Sequence, residues 1–217
     1  MPASHIDHLA ITAPTLEVGV AYVRDVLGVE PGPGGEHLRM GTHNRLLRLG
    51  DALYLEVIAP NPAAPAPGRP RWFGLDALAA DALPRLGSWV LRTDDIGAAT
   101  AAATEALGVV EPMSRGAFEW LITIPSDGLQ PLGGVAPALI EWRAGGHPAA
   151  RLPDCGLALE MLEIFHPDPL RVERLLASIS FAGPAVVHAL PADEVPYLAA
   201  RIATPGGLRR LCGRPAG

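Results

Sequence analysis

The residues best suited to chemistry are one histidine and two glutamates, His8, Glu56 and Glu141, each inside a strand-like segment. Side chains alternate between the two faces of a strand, so His8 points away from the face that carries Leu9. The same rule separates Glu56 from Leu55. We therefore expect His8 and Glu56 to share the face of their sheet that is turned away from the helix, and Glu141 to occupy the place of Glu56 in a second copy of the segment.

The elements that must position these side chains repeat along the chain. The first copy is predicted as a strand, a helix that ends at Gly28, and two or three strands, at 5–12, 16–27, 41–49 and 54–59, with a short strand inside 29–39. The second copy has the same order, at 88–93, 96–107, 116–124 and 138–142. Its last two strands align with 41–49 and 53–57, which places Glu141 in register with Glu56.

A third and shorter copy is predicted after these two. It has a strand at 157–165, a helix at 170–179 that follows the N-cap Asp168, and strands at 185–190 and 197–204. This copy lacks one strand of the repeat, and we interpret it as a structural extension without a site of its own.

The sequence therefore predicts an α+β fold in which tandem βαβββ modules form a cupped mixed sheet, with a partial third module at the C-terminus. A proline-rich stretch favours an extended linker between the modules. The predicted units are the first module, the linker with a short helix, the second module and the extension, at 1–60, 61–85, 86–150 and 151–217. The linker is long enough for the modules to pair within one chain or across a homodimer.

Four further residues are candidates for binding a substrate inside the cup. Asn44 and Arg48 alternate with apolar neighbours and are expected to face the cup. Arg48 is suited to holding a carboxylate through two hydrogen bonds, or to forming an ion pair with a glutamate in the cup. Tyr54 and Trp89 are interpreted as parts of the pocket wall.

Composition excludes several classes of function. The chain has 217 residues, 17 basic residues that are all arginine, and a formal net charge of −6, so a nucleic-acid partner is disfavoured. No apolar run is long enough to cross a bilayer, and no signal peptide is recognisable at the start. Two cysteines without a paired motif fit a reducing cytoplasm. Abundant Ala, Pro, Gly and Arg indicate a GC-rich bacterial genome.

Several segments together resemble a glyoxalase-like domain family of the vicinal oxygen chelate superfamily, across nearly the whole chain. They are 7–12, 41–50 with 54–56, 71–76, 89–95, and 139–142 with His147 and Pro148. The resemblance implies that metal ligands come from the first and last strands of each module. Three of the four positions then carry His8, Glu56 and Glu141, a set that suits Mn, Fe, Ni or Zn, and the fourth carries Trp89, which cannot ligate.

Two functions follow from this resemblance. The first is a metal-dependent enzyme of isomerase, lyase or dioxygenase type that acts on a small oxygenated molecule, with the metal as Lewis acid and Glu141 as the group that moves a proton. The alternative is a metal-free protein that binds or sequesters a small molecule, as bleomycin-resistance proteins do. The Trp89 substitution at a ligand position favours the alternative.

Overall fold

The computed structural model describes residues 3–214 and confirms the α+β fold, with one eight-stranded and one four-stranded sheet. The first module consists of one helix and four strands: β1 (His5–Thr12), α1 (Leu16–Leu27), β2 (Gly32–His37), β3 (Thr42–Gly50) and β4 (Leu53–Pro60). The second module repeats this order: β5 (Arg85–Arg92), α2 (Ile96–Ala102), β6 (Val109–Arg115), β7 (Phe118–Ile124) and β8 (Ala138–Ala144). None of the helices in these described residues has the length and apolar character needed to span a membrane.

The two modules join edge to edge within one chain. Their strands lie in the order β2-β3-β4-β1-β5-β8-β7-β6, and the antiparallel pair β1 and β5 forms the seam. Within each module the first and last strands form a parallel pair, β1 with β4 and β5 with β8. The cup is therefore completed by a single copy of the chain, which answers the question that the linker length left open.

Local signals set the helix boundaries. The Thr15 side chain accepts a hydrogen bond from the Val18 amide at the start of α1, and Gly28 ends the helix with a φ of 74°. The predicted bounds of this helix are confirmed. Helix α2 is shorter than predicted and ends at Ala102. The short helix predicted within the linker is replaced by a 3₁₀ segment, Trp72–Ala77, and β5 begins at Arg85.

The C-terminal segment contains one strand more than the sequence predicts. Its elements are β9 (Ala158–His166), α3 (Pro169–Ser178), β10 (Ala185–Ala189), β11 (Tyr197–Thr204) and β12 (Gly207–Cys212). The strands lie in the order β10-β9-β11-β12, so the parallel partner of β9 is the strand that follows the helix directly. In the first module the parallel partner of β1 is instead the last strand, so the segment is not a plain copy of the module.

Two apolar clusters lie on opposite faces of the large sheet. The cluster on the helix side includes Leu9, Leu55 and Leu139 and continues into the C-terminal sheet through Leu162 and Leu198. The cluster on the other side lines the cup and includes Ala10, Ile58, Trp72, Trp120 and Ile140. Because strand residues alternate between these clusters, the position of a side chain along its strand decides whether it belongs to the core or to the cup.

Candidate functional site

The concave face of the large sheet holds a cavity between the two modules. It contains about 350 Å³ of space between atoms, including space that is open to solvent. Polar groups and aromatic rings share its wall: His8, His37, Tyr54, Glu56, Trp72, Phe73, Arg115, Trp120, Ile122, Ile140 and Trp142. The predicted cup is thus present, and His8, Tyr54 and Glu56 lie in it as predicted.

A β-bulge in β1 places two consecutive side chains on the cup side. Ile6 pairs with Leu91 and His8 pairs with Val90, so Asp7 is an extra residue between two regular pairs. Such a bulge re-aims side chains that strict alternation would separate. Asp7 is fully buried and hydrogen-bonds to its neighbour His8. Simple alternation puts Asp7 on the helix side, which is why the sequence did not reveal it as a site residue.

Asp7 fixes the orientation of the His8 ring. Its Oδ1 lies 2.6 Å from His8 Nδ1, while its Oδ2 accepts a 2.8 Å hydrogen bond from Trp142 Nε1 and lies 3.0 Å from His147 Nε2. Burial alone would raise the pKa of Asp7, but these hydrogen bonds from His147 and His8 and the nearby imidazoles hold it well below its usual range. Asp7 is therefore a carboxylate, and a neutral His8 carries its proton on Nδ1 and has a free Nε2.

Glu56 faces the free nitrogen of His8 across the cavity. Glu56 Oε2 lies 3.7 Å from His8 Nε2, and both side chains are about 95% buried. The other carboxylate oxygen of Glu56 accepts a hydrogen bond from Asn44 Nδ2. The neighbouring strands β1, β3 and β4 supply these three groups, since Ala10 pairs with Glu56 and Ile58 pairs with Asn44.

The linked polar side chains of the cup are called the polar row below, and Arg115 extends this row to the second module. Its other members are Asp7, His8, Glu56 and Asn44. Asn44 Oδ1 accepts a 2.8 Å hydrogen bond from the Gly35 amide and a 3.1 Å hydrogen bond from Arg115 Nη1. The same Arg115 nitrogen lies 3.2 Å from His37 Nε2. Burial, followed by the positive charge of Arg115, lowers the pKa of His37 well below its usual value. His37 is therefore neutral, accepts a hydrogen bond from Arg115 Nη1 at Nε2, and lies 3.2 Å from Thr42 Oγ1 through Nδ1.

Tyr54 covers the His8 ring. The two rings stack with centroids 4.6 Å apart and an angle of 17° between their planes. Burial raises the pKa of Tyr54 well above its usual value, and the negative charges of Asp7 and Glu56 add to this shift. The Tyr54 hydroxyl accordingly keeps its proton at neutral pH.

Aromatic rings form the opposite wall. Trp72 and Phe73 stack at 5.6 Å, and Trp120 lies 5.5 Å from Trp142. Phe73 has a φ of 57°, in the left-handed region that residues other than glycine rarely adopt. This strained backbone holds the ring in the cavity and indicates that the surrounding structure fixes the wall.

The structure does not bring Glu141 into the cup, and the prediction that it shares a site with His8 and Glu56 is wrong. Its carboxylate accepts a 2.9 Å hydrogen bond from the Ile96 amide at the start of α2 and pairs with Arg143 at 3.0 Å. The cup-facing residues of β8 are Ile140 and Trp142. The alignment of the two modules was shifted by one residue, and such a shift moves a side chain to the other face of the sheet.

Two other predicted cup residues also lie elsewhere. Trp89 is fully buried in the helix-side core, where its Nε1 donates a 2.8 Å hydrogen bond to the Val135 carbonyl and its ring meets Phe181 edge-on. Its neighbour Val90 faces the cup. Arg48 alternates with Leu47 and Leu49 and so lies on the predicted side of the sheet. It is near the end of β3, however, and hydrogen-bonds to the Gly50 carbonyl and Asp51.

Sequence reasoning missed Asp7, His37 and Arg115, and it gave His147 no partner. The first has a weak sequence signal, since an aspartate directly before the cup-facing histidine is a candidate to orient it. His37 and Arg115 are 78 residues apart in sequence and meet only through the pairing of the modules. No local pattern predicts such a contact.

The residues of the cup do not make the metal site that the resemblance implied. His8 Nε2 and Glu56 Oε2 are close enough to share an ion, and Asp7 supports His8 as carboxylates support metal-bound histidines. The second module, however, offers Val90 and Ile140 on the cup face. Within residues 3–214 no group of three His, Cys, Asp or Glu side chains is placed to hold an ion. Two donors hold a transition metal weakly, so these residues do not fit a tightly bound ion.

Comparison with known proteins identifies the family. Residues 6–180 match the family profile of a glyoxalase-like domain, and the chain therefore belongs to that family. No functionally curated protein matches the chain significantly.

Several solved structures are similar to the chain at low sequence identity. A hypothetical protein from Staphylococcus aureus is 14% identical, with a TM-score of 0.56 over 96% of this chain and 85% of that one. Methylmalonyl-CoA epimerase from Streptomyces coelicolor is 20% identical, with a TM-score of 0.44 over 65% of this chain and 98% of that one. A 4-hydroxymandelate synthase variant from Streptomyces coelicolor is 17% identical, with a TM-score of 0.46 over 98% of this chain and 63% of that one.

Proposed function

We propose that the cup catalyses proton transfer at a carbon next to a carbonyl group of a small oxygenated molecule, as an isomerase, epimerase or lyase does. The observation that carries this proposal is the arrangement of Asp7, His8 and Glu56. A buried carboxylate orients the imidazole at 2.6 Å, and the opposite nitrogen of the ring faces a second carboxylate at 3.7 Å inside the cavity. A general base and its partner need this geometry to face one substrate carbon.

The base would be His8. Its Nδ1 proton is held by Asp7, so Nε2 presents a lone pair to the cavity. In the proposed step the C–H bond of the substrate breaks, an N–H bond forms at His8 Nε2, and the electron pair moves onto the carbonyl oxygen as an enolate. The Asp7 carboxylate stabilises the imidazolium that forms, as the buried aspartate does in a catalytic triad.

Glu56 and Tyr54 complete the cycle. The Glu56 carboxylate lies beside the imidazolium and is placed to accept that proton and return it to the substrate carbon. Tyr54 lines the cavity and keeps its hydroxyl proton, because burial and two nearby carboxylates raise its pKa. A phenol that stays neutral is a hydrogen-bond donor for the enolate oxygen. These roles replace the one assigned to Glu141 from the sequence.

The second candidate function is metal-free binding or sequestration without turnover. The aromatic wall built from Trp72, Phe73, Trp120 and Trp142 favours it, because these rings bind a molecule without taking part in chemistry. The two functions differ in one observable, which is whether a bound molecule exchanges its carbon-bound proton with solvent.

Proton NMR in D₂O tests the choice. The protein, with and without prior treatment with a chelator, is incubated with a panel of small α-keto, β-keto and 2-hydroxy carbonyl compounds, and loss of the α-proton signal is followed. We expect exchange with at least one class and no dependence on chelator treatment. His8→Gln and Glu56→Gln should each slow the exchange by about 10² to 10⁴-fold, the usual contribution of a general acid or base.

His5→Gln is the matched control, because His5 lies on the same strand, is exposed, and its side chain hydrogen-bonds only to the Ala182 carbonyl among the described residues. It should exchange at the wild-type rate. Saturable binding of a panel compound without any exchange would reject the proton-transfer proposal and support sequestration. Exchange that disappears with the chelator and returns with Mn, Fe, Ni or Zn would restore the metal-dependent enzyme.

A further inference from the structure

Arg115 is the cation of the cavity wall. It is the last residue of β6 in the second module, and its side chain reaches across the cup to β2 and β3 of the first. Gly35 makes this crossing possible, because a Cβ atom at that position would lie 2.8 Å from Arg115 Cδ. The guanidinium group is thus held by the two modules together at one end of the polar row.

The contacts of Arg115 include no carboxylate among the described residues, although its guanidinium carbon lies 5.9 Å from the centre of the Phe118 ring. Both of its hydrogen bonds use Nη1, and both acceptors, Asn44 Oδ1 and His37 Nε2, are neutral. Within residues 3–214 neither Nε nor Nη2 meets an acceptor, and no carboxylate lies within ion-pair distance. Arg39 and Arg69, in contrast, both pair with Glu111. A half-buried arginine that has neutral partners and spare donors is equipped to bind an anion from outside the protein.

We propose that the cavity takes small carboxylates with a flat, apolar body, and that Arg115 is the residue that selects the carboxylate. This inference rests on the site of the proposed function and names its substrate class. A guanidinium binds a carboxylate through two parallel hydrogen bonds, which fixes the orientation of the anion as well as its position.

The polar row determines where the rest of such a molecule lies. Asn44 bridges Arg115 and Glu56, because it accepts from the first and donates to the second. Glu56 in turn lies 3.7 Å from His8 Nε2. A carboxylate on Arg115 therefore directs the adjoining carbon atoms toward Glu56 and His8, where the proton is removed.

The aromatic residues that line the rest of the cavity are the reason why we expect the ligand to have a flat, apolar body. The rings of four residues line the cavity together with Ile122 and Ile140: Trp72, Phe73, Trp120 and Trp142. Stacking and apolar contact with these rings stabilise an aromatic or conjugated group.

Calorimetric titration of the wild-type protein tests the class without any mutation. The probes are benzoate, phenylacetate and phenylpyruvate, their methyl esters, and acetate, which has a carboxylate but no ring. We expect the acids to bind at least about tenfold more tightly than their esters, equivalent to about 1.4 kcal/mol. Acetate should bind at least tenfold more weakly than phenylacetate.

Two variants and a control assign the selectivity to Arg115. Arg115→Gln should reduce the ratio of acid to ester affinity to within about twofold, while ester affinity stays near the wild-type value. Arg115→Lys keeps the charge but loses the paired donors, so its ratio should fall between the two. Arg39→Gln removes a cation from the neighbouring surface, where Arg39 pairs with Glu111 outside the cavity, and should keep the wild-type ratio. Circular dichroism confirms that each variant is folded.

The outcomes separate this inference from the proposed function. Equal affinity for acids and esters in the wild type, or an unchanged ratio in folded Arg115→Gln, would overturn the role of Arg115 even if proton exchange is observed. Acid selectivity that depends on Arg115, without any proton exchange, would support this inference and reject the catalytic proposal.

Discussion

The two modules have the same fold but contribute opposite kinds of surface to the cup. The first supplies Asp7, His8, Asn44 and Glu56, a connected polar row. The second supplies a wall that is mostly apolar or aromatic, with Arg115 as its charged group. The difference shows that two modules of one fold need not present the same side chains to a shared cavity. In the proposed function, the first module holds the reacting groups and the second binds the body of the molecule.

The largest expected effect is the loss of Asp7 from the polar half. Asp7→Ala removes a fully buried carboxylate and leaves His8, His147 and Trp142 Nε1 without their acceptor. Breaking such a buried set should lower the free energy of unfolding by about 3–5 kcal/mol. Urea denaturation followed by circular dichroism measures it. Asp25→Ala, at an exposed position of α1, is the control and should change stability by less than about 0.5 kcal/mol. A small loss for Asp7→Ala would show that the bulge does not depend on this carboxylate.

Adding metal-ligating side chains to the second module tests whether the cup binds metal weakly because it has only two ligands. Val90 and Ile140 face the cup next to the polar row, so Val90→His combined with Ile140→Glu adds two donors beside His8 and Glu56. We expect the double variant to bind Zn at least about 100-fold more tightly than the wild type, as extra ligands complete the coordination. Competition with a chromogenic chelator reports the affinity. Tight stoichiometric Zn binding by the wild type would contradict the two-donor interpretation.

The pH dependence of stability reports on His37, at the contact between the halves. Its pKa in the folded protein is far below its usual value, so the unfolded chain binds a proton that the folded protein does not. The stability contributed by neutral His37 is therefore present above about pH 6.5 and decreases as pH falls, by up to about 1.4 kcal/mol per pH unit. Thermal melts between pH 5 and 7 should show this slope, and His37→Gln should reduce it. An equal slope in both proteins would mean that His37 is protonated in the folded state.

The smallest expected effect concerns Glu141. Glu141→Gln removes a charge from the start of α2 and should cost about 0.3–1 kcal/mol of stability. Ligand affinity and proton exchange should stay at wild-type values, because the side chain lies on the helix side of the sheet. A large loss of exchange in this variant would return Glu141 to the site.

Much of the fold could be predicted from the sequence because it depends on local signals. Thr15 and Gly28 set the ends of α1, and Asp168 caps α3, where it accepts a hydrogen bond from Arg171. Strand alternation placed His8 and Glu56 on one face. These features need only side-chain periodicity and capping chemistry.

The rest of the site depends on register and long-range pairing, which the sequence does not show. The bulge at Asp7 breaks the alternation in β1, and a second irregularity between Glu119 and Trp120 breaks it in β7. A one-residue error in aligning the modules was enough to exchange Glu141 for Ile140 at the cup face. Arg115 enters the site only because the modules pair.

The kinetics of proton exchange with solvent test most directly whether the first module carries out the chemistry and the second module binds the ligand. With the substrate class found by NMR, kcat and KM for exchange are measured for Glu56→Gln in the polar half and Ile122→Ala in the apolar half. We expect Glu56→Gln to lower kcat by about 10²-fold or more, with KM within about threefold of the wild-type value. Ile122→Ala should raise KM with kcat within about threefold. The same change of kcat in both variants would contradict the separation of chemistry and binding between the two modules.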